Sequence, residues 1–222
     1  VGVVAVSLSA GADHTCALVA GGVSCWGRND FGQVGDGTAT NRLTPVRVAG
    51  LENVRSIRAG AHHTCAVLST GALVCWGRNN AGQIGDGTTV NRPSPVTLAV
   101  AANFEYVAPG AQHTCAGASR GGGVYDTWCW GSNAYGQYGD GTTTSRTTPG
   151  AVTTVQSPVS SGWNHACALL GGGPRCWGRN DAAQINADGM PRLSPTSVGG
   201  SATGFFTIGL EHACGLDAGY NV

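Results

Sequence analysis

The sequence predicts an all-β protein of β-propeller blades, each of four antiparallel strands, in about four and a half repeats of roughly 50 residues. Three observations lead there. One nine-residue segment recurs five times along the 222 residues. Its histidines, His14, His63, His113, His165 and His212, are spaced 49, 50, 52 and 47 apart. Gly is used 37 times at spaced turn positions, while helix formers are scarce, with no Lys, one Met and three Glu. Val, Thr and Trp between such turns are the composition of short strands.

The repeat has three parts. Ala-Gly-Ala-Asp-His-Thr-Cys-Ala-Leu at 10–18 returns as Ala-Gly-Ala-His-His-Thr-Cys-Ala-Val at 59–67, then again from Pro109, Ser161 and Ile208. Cys-Trp-Gly-Arg-Asn follows at 25–29, 75–79 and 176–180, with Cys-Trp-Gly-Ser-Asn at 129–133. Gly-Gln-Val-Gly-Asp-Gly-Thr at 32–38 has copies at 82–88 and 136–142 and a decayed form at 183–189. An Arg and a Ser/Thr-Pro step close each repeat, as at Arg42 and Pro45. One array is expected over 1–222, with repeats at approximately 1–50, 51–99, 100–153 and 154–200 and a partial repeat at 201–222. The first twelve residues align with internal repeats and lack a basic leader, so they are read as a strand rather than a targeting segment.

These motifs, repeated in register, resemble the regulator-of-chromosome-condensation repeat family in its bacterial extracellular form. The resemblance covers the whole chain. It implies a seven-bladed propeller and recognition of proteins from one face of a disc. Members of that family include guanine-nucleotide exchange factors, chromatin binders and a secreted propeller inhibitor of β-lactamases. Four and a half units then imply a partial seven-bladed propeller or a ring completed by other chains. The fifth repeat stops in mid-hairpin: the position expected to face Cys214 is 223, one past the last residue, and the pairing of Cys214 stays open.

Eight of the nine cysteines fall into hairpin pairs. With Ala20-Gly21 as a two-residue turn, Cys16 faces Cys25. Gly171-Gly172 does the same for Cys167 and Cys176. A three-residue turn ending in Gly71 sets Cys65 opposite Cys75. Cys115 and Cys129 pair across a longer hairpin with an insertion at Arg120 to Trp128. Facing residues in an antiparallel pair are close enough for a disulfide. Disulfides imply an oxidising compartment, hence a secreted or cell-surface protein. Buried free thiols, or His-x-Cys with a second Cys as a metal set, are the competing readings. Repetition in every blade among apolar neighbours favours structure over metal, and no metal or cofactor is assigned.

Lysine is absent, and 12 Arg balance 12 acidic residues. Zero net charge with 11% charged residues lacks the footprint of a nucleic-acid binder. No run of 18 apolar residues exists, so no helical membrane span is expected. The repeated histidines have no nucleophile beside them, and each is expected to bond a backbone carbonyl of a neighbour. The tryptophans at 26, 76, 130 and 177 are expected between blades with their N–H groups on carbonyls. Asp36, Asp86 and Asp140 should cap their turns and pair with Arg42, Arg92 and Arg146.

Positions that vary between copies are free to recognise a ligand. The residues before each histidine include Asp13, His62, Gln112, Trp163, Asn164 and Glu211. A second variable set follows Cys-Trp-Gly and holds Phe31 and Tyr135. The insertion adds Tyr125, Asp126 and Trp128, and Tyr138 is another aromatic where other copies are smaller. Partner-binding candidates are therefore Asp13, Phe31, His62, Gln112, Trp128, Tyr135, Trp163, Asn164 and Glu211. The expected function is non-catalytic protein recognition, of interaction or inhibitor type. The alternatives are self-assembly into an extracellular appendage or filament, and a lectin-like adhesin. A nuclear exchange factor or chromatin binder is disfavoured by the disulfide geometry and the neutral charge.

Overall fold

The computed structural model describes residues 5–19, 22–198, 202–209 and 211–217. Strands β1 (Ser7–Ala10), β2 (His14–Val19), β3 (Gly22–Gly27) and β4 (Arg42–Glu52) form the first sheet. The second holds β5 (Val54–Ala59), β6 (His63–Leu68), β7 (Leu73–Gly77) and β8 (Arg92–Thr97). The third holds β9 (Tyr106–Pro109), β10 (His113–Gly121), β11 (Val124–Gly131) and β12 (Arg146–Val152). The fourth holds β13 (Val159–Ser161), β14 (His165–Leu170), β15 (Gly173–Gly178) and β16 (Arg192–Ser197). A two-stranded sheet, β17 (Ala202–Ile208) and β18 (Ala213–Asp217), comes last. Each four-stranded sheet runs antiparallel in sequence order. Alternate connections therefore leave on opposite faces. The loop before each histidine shares a face with the long loop after Cys-Trp-Gly; the hairpin turns lie on the other.

The register places each cysteine pair face to face, and all four disulfides form, with Cα atoms 4.1 Å apart. Val19 pairs with Gly22 as the hairpin arithmetic requires, although the turn at Ala20-Gly21 lies outside the described residues. So do residues 1–4 of the expected first strand, and the side chain of Cys214. In the third blade the insertion lengthens β10 and β11 rather than forming a free loop. Ser119 pairs with Tyr125, and Arg120 makes an ion pair with Asp126.

The core lies between sheets. Leu18, Val23 and Val48 of the first sheet pack with Val54, Ile57 and Trp76 of the second. Val67, Leu73 and Ile84 pack with Phe104, Val107 and Trp130 of the third. Trp76, Trp130 and Trp177 are wholly buried, whereas Trp26 is half-buried. Each buried indole donates to the carbonyl of a loop glutamine in the preceding blade: Trp76 to Gln33 at 3.0 Å, Trp130 to Gln83 at 2.9 Å and Trp177 to Gln137 at 2.9 Å. Gly35 shows why that loop cannot carry a side chain. Its φ is +82°, and a Cβ would lie 2.5 Å from the Trp76 Nε1.

The same carbonyls take a second donor. Thr64 Oγ1 donates to the Gln33 carbonyl at 3.0 Å, and Thr114 Oγ1 to that of Gln83 at 2.8 Å. With its proton so used, each threonine oxygen accepts from the histidine of the preceding blade. His14 Nε2 lies 2.8 Å from Thr64 Oγ1, and His63 Nε2 lies 2.8 Å from Thr114 Oγ1. The histidine partner is thus a hydroxyl across the seam rather than the expected backbone carbonyl, because that carbonyl is already held by threonine and indole. The ring sits against a glycine: a Cβ at Gly60 would lie 2.7 Å from His63 Cε1. The third seam departs from this pattern. Ala166 occupies the threonine position, and buried His113 Nε2 has no hydrogen-bond partner among the described residues.

Beyond the seam the long loops repeat one network. Asn29 is fully buried; its Nδ2 donates to Thr38 and Thr40 carbonyls while its Oδ1 accepts from Val34 N. Asp36 accepts from Thr38 N at 3.0 Å and pairs with Arg42, and Asp86 with Arg92 and Asp140 with Arg146 repeat the pairing. Gly37 N reaches the Pro93 carbonyl, so each loop also grips the outer strand of the next blade.

Two stability measurements follow. Thr64→Val strands the buried His14 N–H and should cost about 1–3 kcal/mol, whereas Ala166→Thr supplies the missing hydroxyl and should gain about 0.5–1.5 kcal/mol. Thermal unfolding of both variants checks this; a neutral Thr64→Val would remove the seam bond from the account. Burial also lowers the histidine pKa values, to about 4 for His14 and about 3 for His63 and His113, from 6.5. Because the unfolded chain binds protons that the folded chain refuses, stability is full above pH 6.5 and falls as pH drops toward these values. Urea midpoints should decline between pH 6.5 and 5, before the carboxylates protonate; a flat profile there would refute the assignment.

Candidate recognition face

One backbone bond per blade builds this face. The residue after Cys-Trp-Gly donates its N–H to the carbonyl of the residue before the histidine. The pairs are Arg28 to Asp13 (2.8 Å), Arg78 to His62 (2.9 Å), Ser132 to Gln112 (2.7 Å) and Arg179 to Asn164 (2.8 Å). A side chain that differs from blade to blade is thereby held beside one that is Arg in three blades and Ser in the third. The loops are joined laterally as well: Ala12 N reaches the Ala61 carbonyl, Ala61 N that of Gly110 and Ala111 N that of Trp163. The variable side chains therefore rise from a continuous hydrogen-bonded rim.

Aromatic residues of one blade stack on arginines of the next. The Arg78 guanidinium lies 4.8 Å from the Phe31 ring centroid, and the His62 ring is 5.6 Å from the same ring. Arg179 lies 5.7 Å from the Tyr135 centroid. At the intervening seam the aromatic position is Ala81 and the arginine position is Ser132, so both members are missing together. Each such contact contributes about 0.5–1 kcal/mol at an exposed site. Tyr135 is 39% exposed and Trp163 38%, which leaves both rings open to a partner.

A recess opens between these side chains, lined by His62, Arg78, Ala111, Gln112, Trp163, Asn164, Arg179 and Glu211. Beside it the inner strand ends form a wall of small residues, among them Ala10, Ala59, Pro109 and Ser161. Electrostatics vary around the rim. Arg28 bonds Asp30 at 2.6 Å and lies 3.5 Å from Asp13, while Arg179 bonds Asp181 at 2.6 Å. Burial pulls the His62 pKa down, the Arg78 charge pulls it down further, and Asp13 opposes both.

Five of the candidate residues, His62, Gln112, Trp163, Asn164 and Glu211, line this one recess. Asp13, Phe31 and Tyr135 sit on the same rim. Trp128 is placed elsewhere: it is half-buried on β11, against the cluster that holds Phe104 and Trp130. Tyr138 is fully buried, and its hydroxyl donates to the Gly131 carbonyl. Arg28, Arg78 and Arg179 escaped the comparison of copies because three of four repeats share them. Ser132, the single exception, was the available signal.

Sequential four-stranded sheets around a common wall, with variable loops gathered on one face, define a β-propeller repeat protein. The chain belongs to the regulator of chromosome condensation (RCC1) repeat family, whose pattern matches residues 20–67, 70–116 and 126–169. A second pattern of the same description matches 5–33 and 54–83. The ultraviolet-B receptor UVR8 of Arabidopsis thaliana is 40% identical over 67 residues, 29% of this chain and 15% of that protein. Prp20p of Saccharomyces cerevisiae superposes with a TM-score of 0.80 at 21% identity, over 94% of this chain and 55% of its own. The ectodomain of the Physcomitrella patens receptor kinase CR4 gives 0.56 at 23% identity, over 98% and 48%. The chain thus spans a small part of UVR8 and about half of each structural relative.

The coupling between His62 and Arg78 can be read directly. Removing the cation in Arg78→Gln should raise the His62 pKa, and removing the anion in Asp13→Asn should lower it. NMR titration of the His62 ring checks both signs, and an unmoved His62 in Arg78→Gln would show that the two groups are not neighbours.

Proposed function

We propose that this face is a protein-recognition surface and that the chain acts by binding, as an interaction or inhibitor module of a secreted or cell-surface protein. The observation that carries this is the convergence of the copy-to-copy variable residues on one recess, with Trp163 and Tyr135 exposed at its rim. Aromatic anchors of that kind dominate protein interfaces. Prp20p, of similar fold, has been described with its binding to Gsp1p and histones. Four disulfides support an oxidising compartment. Binding is preferred to catalysis because His14 and His63 are enclosed in the seams with Nε2 committed to threonine.

The test begins with cross-linking through a photoreactive group at Gln112 to recover a partner from extracellular material of the source. Trp163→Ala and Tyr135→Ala should each then weaken binding by about 1–2 kcal/mol, roughly five- to thirtyfold, without lowering Tm. Val124→Ala, on the lengthened hairpin away from this face, should leave it unchanged. If the partner instead tolerates both rim variants and loses affinity with Val124→Ala, the recognition surface lies on the other face.

A further inference from the structure

The arginine after Cys-Trp-Gly meets different charges in different blades. Arg28 has Asp30 and Asp13, and Arg179 has Asp181 with Glu211 acting across the recess. Arg78 has neither kind of partner. Asn80 stands where Asp30 and Asp181 stand, and His62 stands where Asp13 stands. Among the described residues the Arg78 guanidinium makes no ion pair and no side-chain hydrogen bond; its contact is the Phe31 ring at 4.8 Å.

That contact leaves the useful part of the group open. A cation placed over a ring uses none of its N–H groups as hydrogen-bond donors to it, and those of a guanidinium form the planar fork that fits a carboxylate. Phe31 and the backbone bond from Arg78 N to the His62 carbonyl fix the base of the side chain, and the side chain lines the recess. A half-buried cation with its donors unused is a binding group awaiting its counterpart.

We propose that Arg78 receives a carboxylate of the partner, an Asp or Glu side chain inserted into this recess. The proposal rests on the protein-recognition reading of the face and specifies its chemistry. The charges on either side refine it. Asp13 and Asp30 outnumber Arg28, and Asp181 and Glu211 outnumber Arg179, so the rim reads negative, positive, negative across Arg78. The complementary segment carries one acidic residue with basic residues flanking it. A dianionic phosphate would double its attraction to the guanidinium and its repulsion from the flanking carboxylates alike, but its desolvation cost rises faster than its charge, so a singly charged carboxylate fits this recess better.

The probes are three capped pentapeptides, Lys-Gly-Asp-Gly-Lys and its versions with Asn or phosphoserine at the centre. Each is titrated into the uniformly 15N-labelled chain, and the arginine side-chain Nε–H resonances are followed together with the backbone amides. The Asp peptide should move the Arg78 resonance and bind at least about fivefold more tightly than the Asn peptide. Arg78→Gln should bring that ratio near one. So should Asn80→Asp, which restores the carboxylate of the other blades and neutralises Arg78 from within; thermal unfolding verifies that both variants fold. An unmoved Arg78, equal binding of the Asn peptide, tighter binding of the phosphopeptide, or a ratio that survives both variants overturns the proposal. If peptides perturb Trp163 and Tyr135 with Arg78 silent, carboxylate capture fails and protein recognition by this face stands. Perturbation confined to the opposite face counts against both.

Discussion

The structure depends on one carbonyl per seam. Gln33 and Gln83 each present a backbone oxygen that takes an indole N–H and a threonine hydroxyl from the following blade. A carbonyl has two lone pairs, and both are filled from across the boundary. The histidine completes the set by donating to the same threonine. Polar groups that would be costly to bury singly are thus paired with one another between the sheets, although the histidine Nδ1 atoms have no partner among the described residues. Apolar packing around Trp76 and Trp130 supplies attraction, and the carbonyl supplies register, since an indole displaced by one residue would lose its acceptor. The motif spacing reflects this: Gln and Trp must fall at fixed places in consecutive copies, whatever the loops between them do.

This arrangement frees the recognition face. The seam is closed by backbone and by residues shared among copies, and the positions before each histidine are tied into the rim by their backbone bonds. Side chains at the rim can therefore change without a structural penalty, which is why Asp13, His62, Gln112 and Asn164 differ while their carbonyls do the same work. The aromatic and arginine positions are less free. Phe31 with Arg78, and Tyr135 with Arg179, belong to different blades but occur together, and Ala81 with Ser132 lacks both.

Most of the fold was legible in the sequence because its signals are periodic. The motif register located the strands and the Cys115–Cys129 pair, the hairpin arithmetic located the other three disulfides, and the spacing of Asp36 to Arg42 located an ion pair. What escaped lies across the seams. The Thr64 hydroxyl bonds a histidine 50 residues away, and no local pattern distinguishes that partner from a carbonyl. Tyr138 looked like a contact residue because other copies hold Val34 or Ile84 there, yet those are equally buried, so its size fills core rather than surface. Trp128 varies for a similar reason, its ring resting on the Phe104 cluster. Variation between copies marks freedom from the repeat, and a larger side chain can use that freedom inward as readily as outward.

The arginines show the converse limit. Repetition marked Arg28, Arg78 and Arg179 as framework, and two of them do have carboxylates of their own close by. What distinguishes Arg78 is a change at other positions, Asn80 and His62, that leaves a shared residue in an unshared electrostatic setting. A guanidinium common to several blades becomes specific when its local anions are removed, with no new cation introduced. In a neutral chain without lysine this is an economical way to place one positive point on a rim: the backbone anchor and the aromatic support are already present, and the only change needed is the loss of a carboxylate. Identity between copies therefore measures what the backbone requires of a residue, while its charge environment, read blade by blade, measures what that residue is free to bind.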